Sequence, residues 1–63
     1  MFIEFDHTII NAMAVSQFVM RQMDGQYKII AFRIDGSYIG SEAFDTAEEA
    51  NERYKSIKEI LIF

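Results

Sequence analysis

Two Asp-Gly pairs, Asp24-Gly25 and Asp35-Gly36, lie eleven residues apart, and the stretch Gln26 to Ile34 between them carries apolar side chains on both of its faces. Asp-Gly between apolar runs is a strong hairpin signal, because both central positions of a type I′ turn need positive φ, which Gly adopts freely and Asp tolerates. The chain therefore reads as an antiparallel meander about a central strand. A strand that is apolar on both sides needs a cover on each face.

If each Asp-Gly is a two-residue loop, the register follows. The first turn sets Met23 opposite Gln26, Arg21 opposite Lys28, Val19 opposite Ile30, Gln17 opposite Phe32 and Val15 opposite Ile34. The second sets Ile34 opposite Ser37, Phe32 opposite Ile39, Ile30 opposite Ser41 and, on the other face, Arg33 opposite Tyr38 and Ala31 opposite Gly40. Because side chains alternate along a strand, one face collects Val15, Val19, Ile30, Phe32, Ile34 and Ile39, and the other collects Phe18, Met20, Tyr27, Ile29, Ala31, Tyr38 and Phe44. Upstream, Phe2 to Phe5 reads as a short strand, Asp6-His7 as a turn, and Ile9 to Met13 as the start of a second extended run. Alternation fails around Ala12 to Ser16, which predicts a bulge or break there.

One helix follows. Thr46-Ala47-Glu48-Glu49 is a capping box, in which the Thr46 hydroxyl accepts from the Glu49 amide while the Glu49 carboxylate reaches back to the Thr46 amide. Ala47, Ala50, Tyr54, Ile57, Ile60 and Leu61 then recur at helical spacing, with Glu49 and Arg53 placed for an i, i+4 pair. The final Ile60-Leu61-Ile62-Phe63 is apolar enough to dock on the sheet or across a subunit boundary. The expected fold is thus α+β, a single domain over residues 1–63: a three- to four-stranded antiparallel β-meander followed by one C-terminal α-helix.

Sixty-three residues lie near the lower limit for a single self-sufficient core. With no cysteine for disulfides and one histidine for a metal, the staple left to such a chain is association with itself. A content of 51% hydrophobic residues points the same way. The two-faced sheet and its lone helix imply a homo-oligomer, a dimer or higher, with Val15, Val19, Ile30, Phe32, Ile34, Ile39, Ile62 and Phe63 at the subunit interface. No run of apolar residues is long enough to span a membrane and the start of the chain lacks a basic signal segment, so the expected setting is soluble and cytoplasmic. The formal net charge of −4 disfavours nonspecific binding to nucleic acid or anionic membranes.

Catalysis finds little support. His7 has no nucleophile pattern around it, and Glu42, Asp45, Glu48 and Glu49 match no calcium loop, so neither a catalytic set, nor a metal, nor a cofactor is expected. Tyr27, Lys28, Arg33 and Tyr38 form the best candidate ligand site, since cations beside aromatic rings can hold a phosphate or stack on a base. The glycine pairs lack the phosphate-loop patterns and are accounted for by turn geometry.

The run Tyr27-Lys28-Ile29-Ile30-Ala31-Phe32, then Asp35-Gly36, then Phe44-Asp45-Thr46-Ala47-Glu48-Glu49-Ala50 resembles a pattern common among small bacterial and bacteriophage proteins built as a β-meander with a C-terminal helix. That resemblance implies an inhibitor or accessory factor acting on a host protein. The order of strands then helix is also similar to coactivator-like domains, which implies a dimeric sheet for single-stranded nucleic acid, although here Arg21, Lys28 and Arg33 are the only cations on it. The sequence reading is therefore a non-enzymatic interaction protein, a homo-oligomer of phage or mobile-element type that modulates a host protein. The alternatives are an oligomer holding a nucleotide between subunits and a sheet module for single strands.

Overall fold

A computed structural model describes residues 1–61 of the chain. Five strands run β1 Phe2–Phe5, β2 Thr8–Asn11, β3 Val15–Met23, β4 Gln26–Arg33 and β5 Tyr38–Phe44, followed by helix α1 Ala47–Leu61. The fold is α+β, as expected, but the strands number five and divide into two antiparallel sheets, a β1-β2 ribbon and a three-stranded sheet ordered β3-β4-β5. The interruption lies where alternation fails. Ala12–Ala14 form a single 3-10 turn, the Asn11 side chain accepts from the Met13 amide, and the chain thereby leaves one sheet for the other.

The turn at Asp24-Gly25 is the predicted one, with φ of 54° and 76°, and it sets the β3–β4 register as read from Met23↔Gln26 to Gln17↔Phe32. Beyond that point a bulge at Ser16 brings Val15 opposite Arg33 instead of Ile34. Val15 is thereby turned to the helix side and packs against the core.

The second Asp-Gly differs. Asp35 keeps negative φ and only Gly36 is left-handed, at 87°. The Gly36 amide donates to the Arg33 carbonyl and the Arg33 amide to the Ser37 carbonyl, each at 2.9 Å, so Ile34-Asp35-Gly36 is a three-residue loop with a glycine bulge. The Asp35 carboxylate accepts from the Ser37 amide at 2.9 Å, a local bond that favours this turn over the tighter one. The Ser37 hydroxyl and amide hold the Asp35 carboxyl below its ordinary pKa.

A longer loop shifts the pairing by one residue, and a bulge at Ile39 cancels the shift. Phe32 pairs Tyr38, then Ala31 pairs Gly40, Ile30 pairs Ser41 and Tyr27 pairs Phe44. All pairs from Gly40 onward are those expected, while the two residues before it exchange sides: Tyr38 joins the face of Phe32, and Ile39 packs against the core.

Helix α1 and the β1-β2 ribbon share one face of the three-stranded sheet. The core between them is Ile3, Phe5, Ile29, Ala31 and Ile57, with Phe18, Met20, Phe44 and Tyr54 packed around it. Phe5 meets Phe18 edge-on at 5.3 Å between centroids. The helix begins as the capping signal indicates, with the Glu49 amide donating to the Thr46 hydroxyl at 3.2 Å. The reciprocal arm differs: the Thr46 hydroxyl donates to the Glu49 carboxylate at 3.1 Å, side chain to side chain. Thr46→Ala removes both bonds and should lower stability by about 1 kcal/mol, measured as a shift of the urea midpoint at unchanged m-value. Ile62 and Phe63, expected at an interface, lie outside the described residues.

Candidate functional site

Two surfaces qualify, and each follows from the register. The first is the sheet face turned away from the helix, which carries Gln17, Val19, Arg21 and Met23 from β3, Gln26, Lys28, Ile30 and Phe32 from β4, and Tyr38, Ser41 and Ala43 from β5. Val19, Ile30 and Phe32 lie outside the core cluster; Val19 and Phe32 are half-buried and Ile30 is buried among its neighbours on the sheet. No element of the described chain packs on this face. Tyr38 donates its phenol to the Ser41 hydroxyl at 3.2 Å along one edge, and Arg21 and Lys28 stand opposite each other at the far end. The face holds no carboxylate, in a chain of ten Asp and Glu against six Lys and Arg. Its positive character is a consequence of register, since alternation sends Glu42 to the helix side and leaves Asp24 and Asp35 in turns.

The second surface is a cleft of about 690 Å³ where the β1-β2 turn meets β5 and the helix, lined in part by Phe2, His7, Phe44, Arg53 and Ile60. Its polar wall is a closed set of bonds. Arg53 donates through Nε to Glu42 Oε1 at 2.7 Å and through Nη2 to Glu42 Oε2 at 3.2 Å and to the Glu4 carbonyl at 2.6 Å. The Asp6 amide donates to Glu42 Oε2 at 3.1 Å, and Asp6 Oδ2 accepts from the Ser41 amide at 3.2 Å. Arg53 also lies 5.9 Å from the centre of the Phe5 ring. Asp6 and His7 both hold left-handed backbone, φ 53° and 62°, a conformation Asp and His adopt more readily than most side chains. The bonds from Asp6 to β5 anchor that turn. This group joins ribbon, sheet and helix through bonds that Arg53, Glu42 and Asp6 make within the fold, so it acts as a structural clamp.

The residues picked from the sequence do not gather into one site. Lys28 and Tyr38 are on the open face, Tyr27 is on the helix side between Gln22 and Phe44, and Arg33 closes the second loop by donating to the Ser37 hydroxyl and the Tyr38 carbonyl. Four residues of strand separate Lys28 from Phe32, the partner of Tyr38, a span of about 13 Å. Of the expected interface, Val19, Ile30 and Phe32 share the open face, Val15 and Ile39 are half-buried against the core on the helix side, and Ile34 is 92% exposed at the loop tip. The clamp itself was missed, because Arg53 reads as a partner of Glu49 when only the helix is considered. A signal existed: the register puts Glu42 beside Ile29 on the covered face, and a carboxylate there requires a donor.

Among the described residues, no cluster of three metal-ligating side chains occurs, and no helix is long and apolar enough to cross a membrane. No protein-family model matches the chain, and neither curated proteins nor solved structures give a match.

Proposed function

We propose that the protein is a non-enzymatic interaction module that works as a homo-oligomer, with the open sheet face of one copy packed on that of a second. The observation that supports this reading is the apolar row of half-buried Val19 and Phe32 about Ile30, itself 8% exposed between its strand neighbours, on a chain whose own helix and ribbon are both committed to the opposite face. The face is also self-complementary. A two-fold axis crossing the strands at Ile30 stacks that residue and Val19 at the centre, and it carries Arg21 and Lys28 of each copy to the Phe32 and Tyr38 end of the other. Cations then lie over rings, contacts worth about 0.5–1 kcal/mol each at a partly exposed site.

The wild-type chain should sediment as a dimer at low micromolar concentration. Val19→Lys, which places an ammonium at the centre of the patch, should weaken association by at least roughly tenfold and leave the far-ultraviolet circular dichroism unchanged. A monomeric wild type at low micromolar concentration would sink this reading. Action on a larger protein partner would draw on a separate apolar surface, the outer side of the ribbon, where Phe2 is 69% and Ile9 75% exposed, with Met13 at 84% just beyond.

The absence of carboxylates from the open face favours one second reading, a platform for single-stranded nucleic acid with Phe32 and Tyr38 as stacking rings. Salt-sensitive binding of a labelled oligothymidine, lost in Lys28→Glu, would select it over the dimer.

A further inference from the structure

The two edges of the three-stranded sheet are not alike. On the β5 side the ribbon turn blocks the edge, with Asp6 accepting from the Ser41 amide and donating its own amide to Glu42. On the β3 side, among the described residues, no further strand pairs with the edge: β4 is its one partner strand. Edge strands are normally guarded by proline, lysine, inward-pointing charge or brevity. Val15–Met23 is nine residues long, and its guards are slight: a bulge at Ser16 near one end and the single charge of Arg21 near the other, with the stretch Gln17 to Met20 between them bearing neither.

The free groups on that edge can be assigned. A two-residue turn closes on a hydrogen-bonded pair, here Met23 with Gln26, and pairs alternate from there. Arg21 and Val19 therefore bond to β4, while the amides and carbonyls of Gln22, Met20 and Phe18 point outward. A second β3 laid antiparallel along them keeps both open faces on one side only in registers that pair residues of like parity. The register centred on Val19 places that residue on the two-fold axis and pairs the regular stretch from Gln17 to Arg21 with itself. It sets Val19 against Val19, Phe18 against Met20 and Gln17 against Arg21, and the bulge at Ser16 ends the regular pairing. Apolar meets apolar, and each guanidinium meets an amide. Moving the register by two residues sets Val19 against Arg21 or Gln17, and moving it by four in one direction sets Arg21 against Arg21.

We propose that the β3 edge is a second self-association site, where two copies join antiparallel about Val19 into one continuous six-stranded sheet. This site is distinct from the open face and can exist with or without it. Face packing buries side chains and leaves edge amides in water, whereas edge pairing protects those amides.

Two measurements test it. Amide hydrogen exchange followed by NMR across a concentration series should show protection of Phe18 and Met20 rising with the dimer fraction seen by light scattering. Val19→Cys, unique in a chain without cysteine, should oxidise to a disulfide-linked dimer under mild conditions, since residues opposed in a non-hydrogen-bonded pair lie about 4.5 Å apart. Arg21→Cys should not, because its counterpart stands four residues away, about 13 Å. Fast exchange at these two amides in a dimeric sample would overturn the edge proposal and leave the face reading intact. So would equal crosslinking of the two cysteine variants, and a chain monomeric at millimolar concentration would remove both.

Discussion

Phe5→Ala should lower the stability of the fold by roughly 3–5 kcal/mol, the largest loss expected from a single change. The ring is fully buried, meets Phe18 edge-on, lies beneath the Arg53 guanidinium and sits at the junction of ribbon, sheet and helix. A chain of this size has only about 3–9 kcal/mol to lose. Truncation also leaves a cavity that the ribbon is too short to collapse into without losing its bonds to β5. Thermal and urea denaturation should therefore find the variant largely unfolded near 37 °C, or with its midpoint lowered by more than half. Phe2→Ala, three residues earlier on the same strand and 69% exposed, supplies the control and should stay within about 0.5 kcal/mol of wild type. Equal losses from the two would show that the ribbon does not pack on the sheet by its Phe5 side.

Gly40→Val should cost about 2–3 kcal/mol for a reason unrelated to backbone freedom. A Cβ at Gly40 would stand 2.8 Å from Asp6 Oδ2 and 3.1 Å from Asp6 Cβ, inside van der Waals contact. Something must move, and what moves is the left-handed Asp6-His7 turn, together with its bonds to Ser41 and Glu42. The mechanism can be separated from general overpacking by a double-mutant cycle. With Asp6→Gly, which removes the colliding side chain and relaxes the positive φ, the added cost of Gly40→Val should fall below about 1 kcal/mol. Full additivity of the two changes would refute the clash as the cause.

The contrast with Gly25 and Gly36 is instructive. Those two have positive φ and no atom within 4 Å of a Cβ, so a turn motif of two letters announces them. Gly40 is required by a neighbour thirty-four residues earlier, which no local pattern contains. The same division runs through the candidate surfaces. Val19, Ile30 and Phe32 were assigned to one face from alternation and the first turn alone, and the register bears that placement out. Alternation puts Tyr38 and Ile39 on the opposite sides from those they occupy, because a loop of three residues with a compensating bulge looks, in sequence, like a loop of two without one. Asp35 chose between them by bonding the Ser37 amide.

Local chemistry written in the chain determined the hairpin at Asp24-Gly25, the break near Ala12 to Ser16, the helix start at Thr46 and most of the strand register, since each depends on contacts within a few residues. Tertiary packing alone decided that the first two strands form a separate ribbon, that ribbon and helix cover the same face, and that Arg53 leaves Glu49 for Glu42. Those outcomes depend on which distant surfaces exclude water together and on pairing a carboxylate that folding carries to the covered side. Such terms exist only once the chain has closed upon itself.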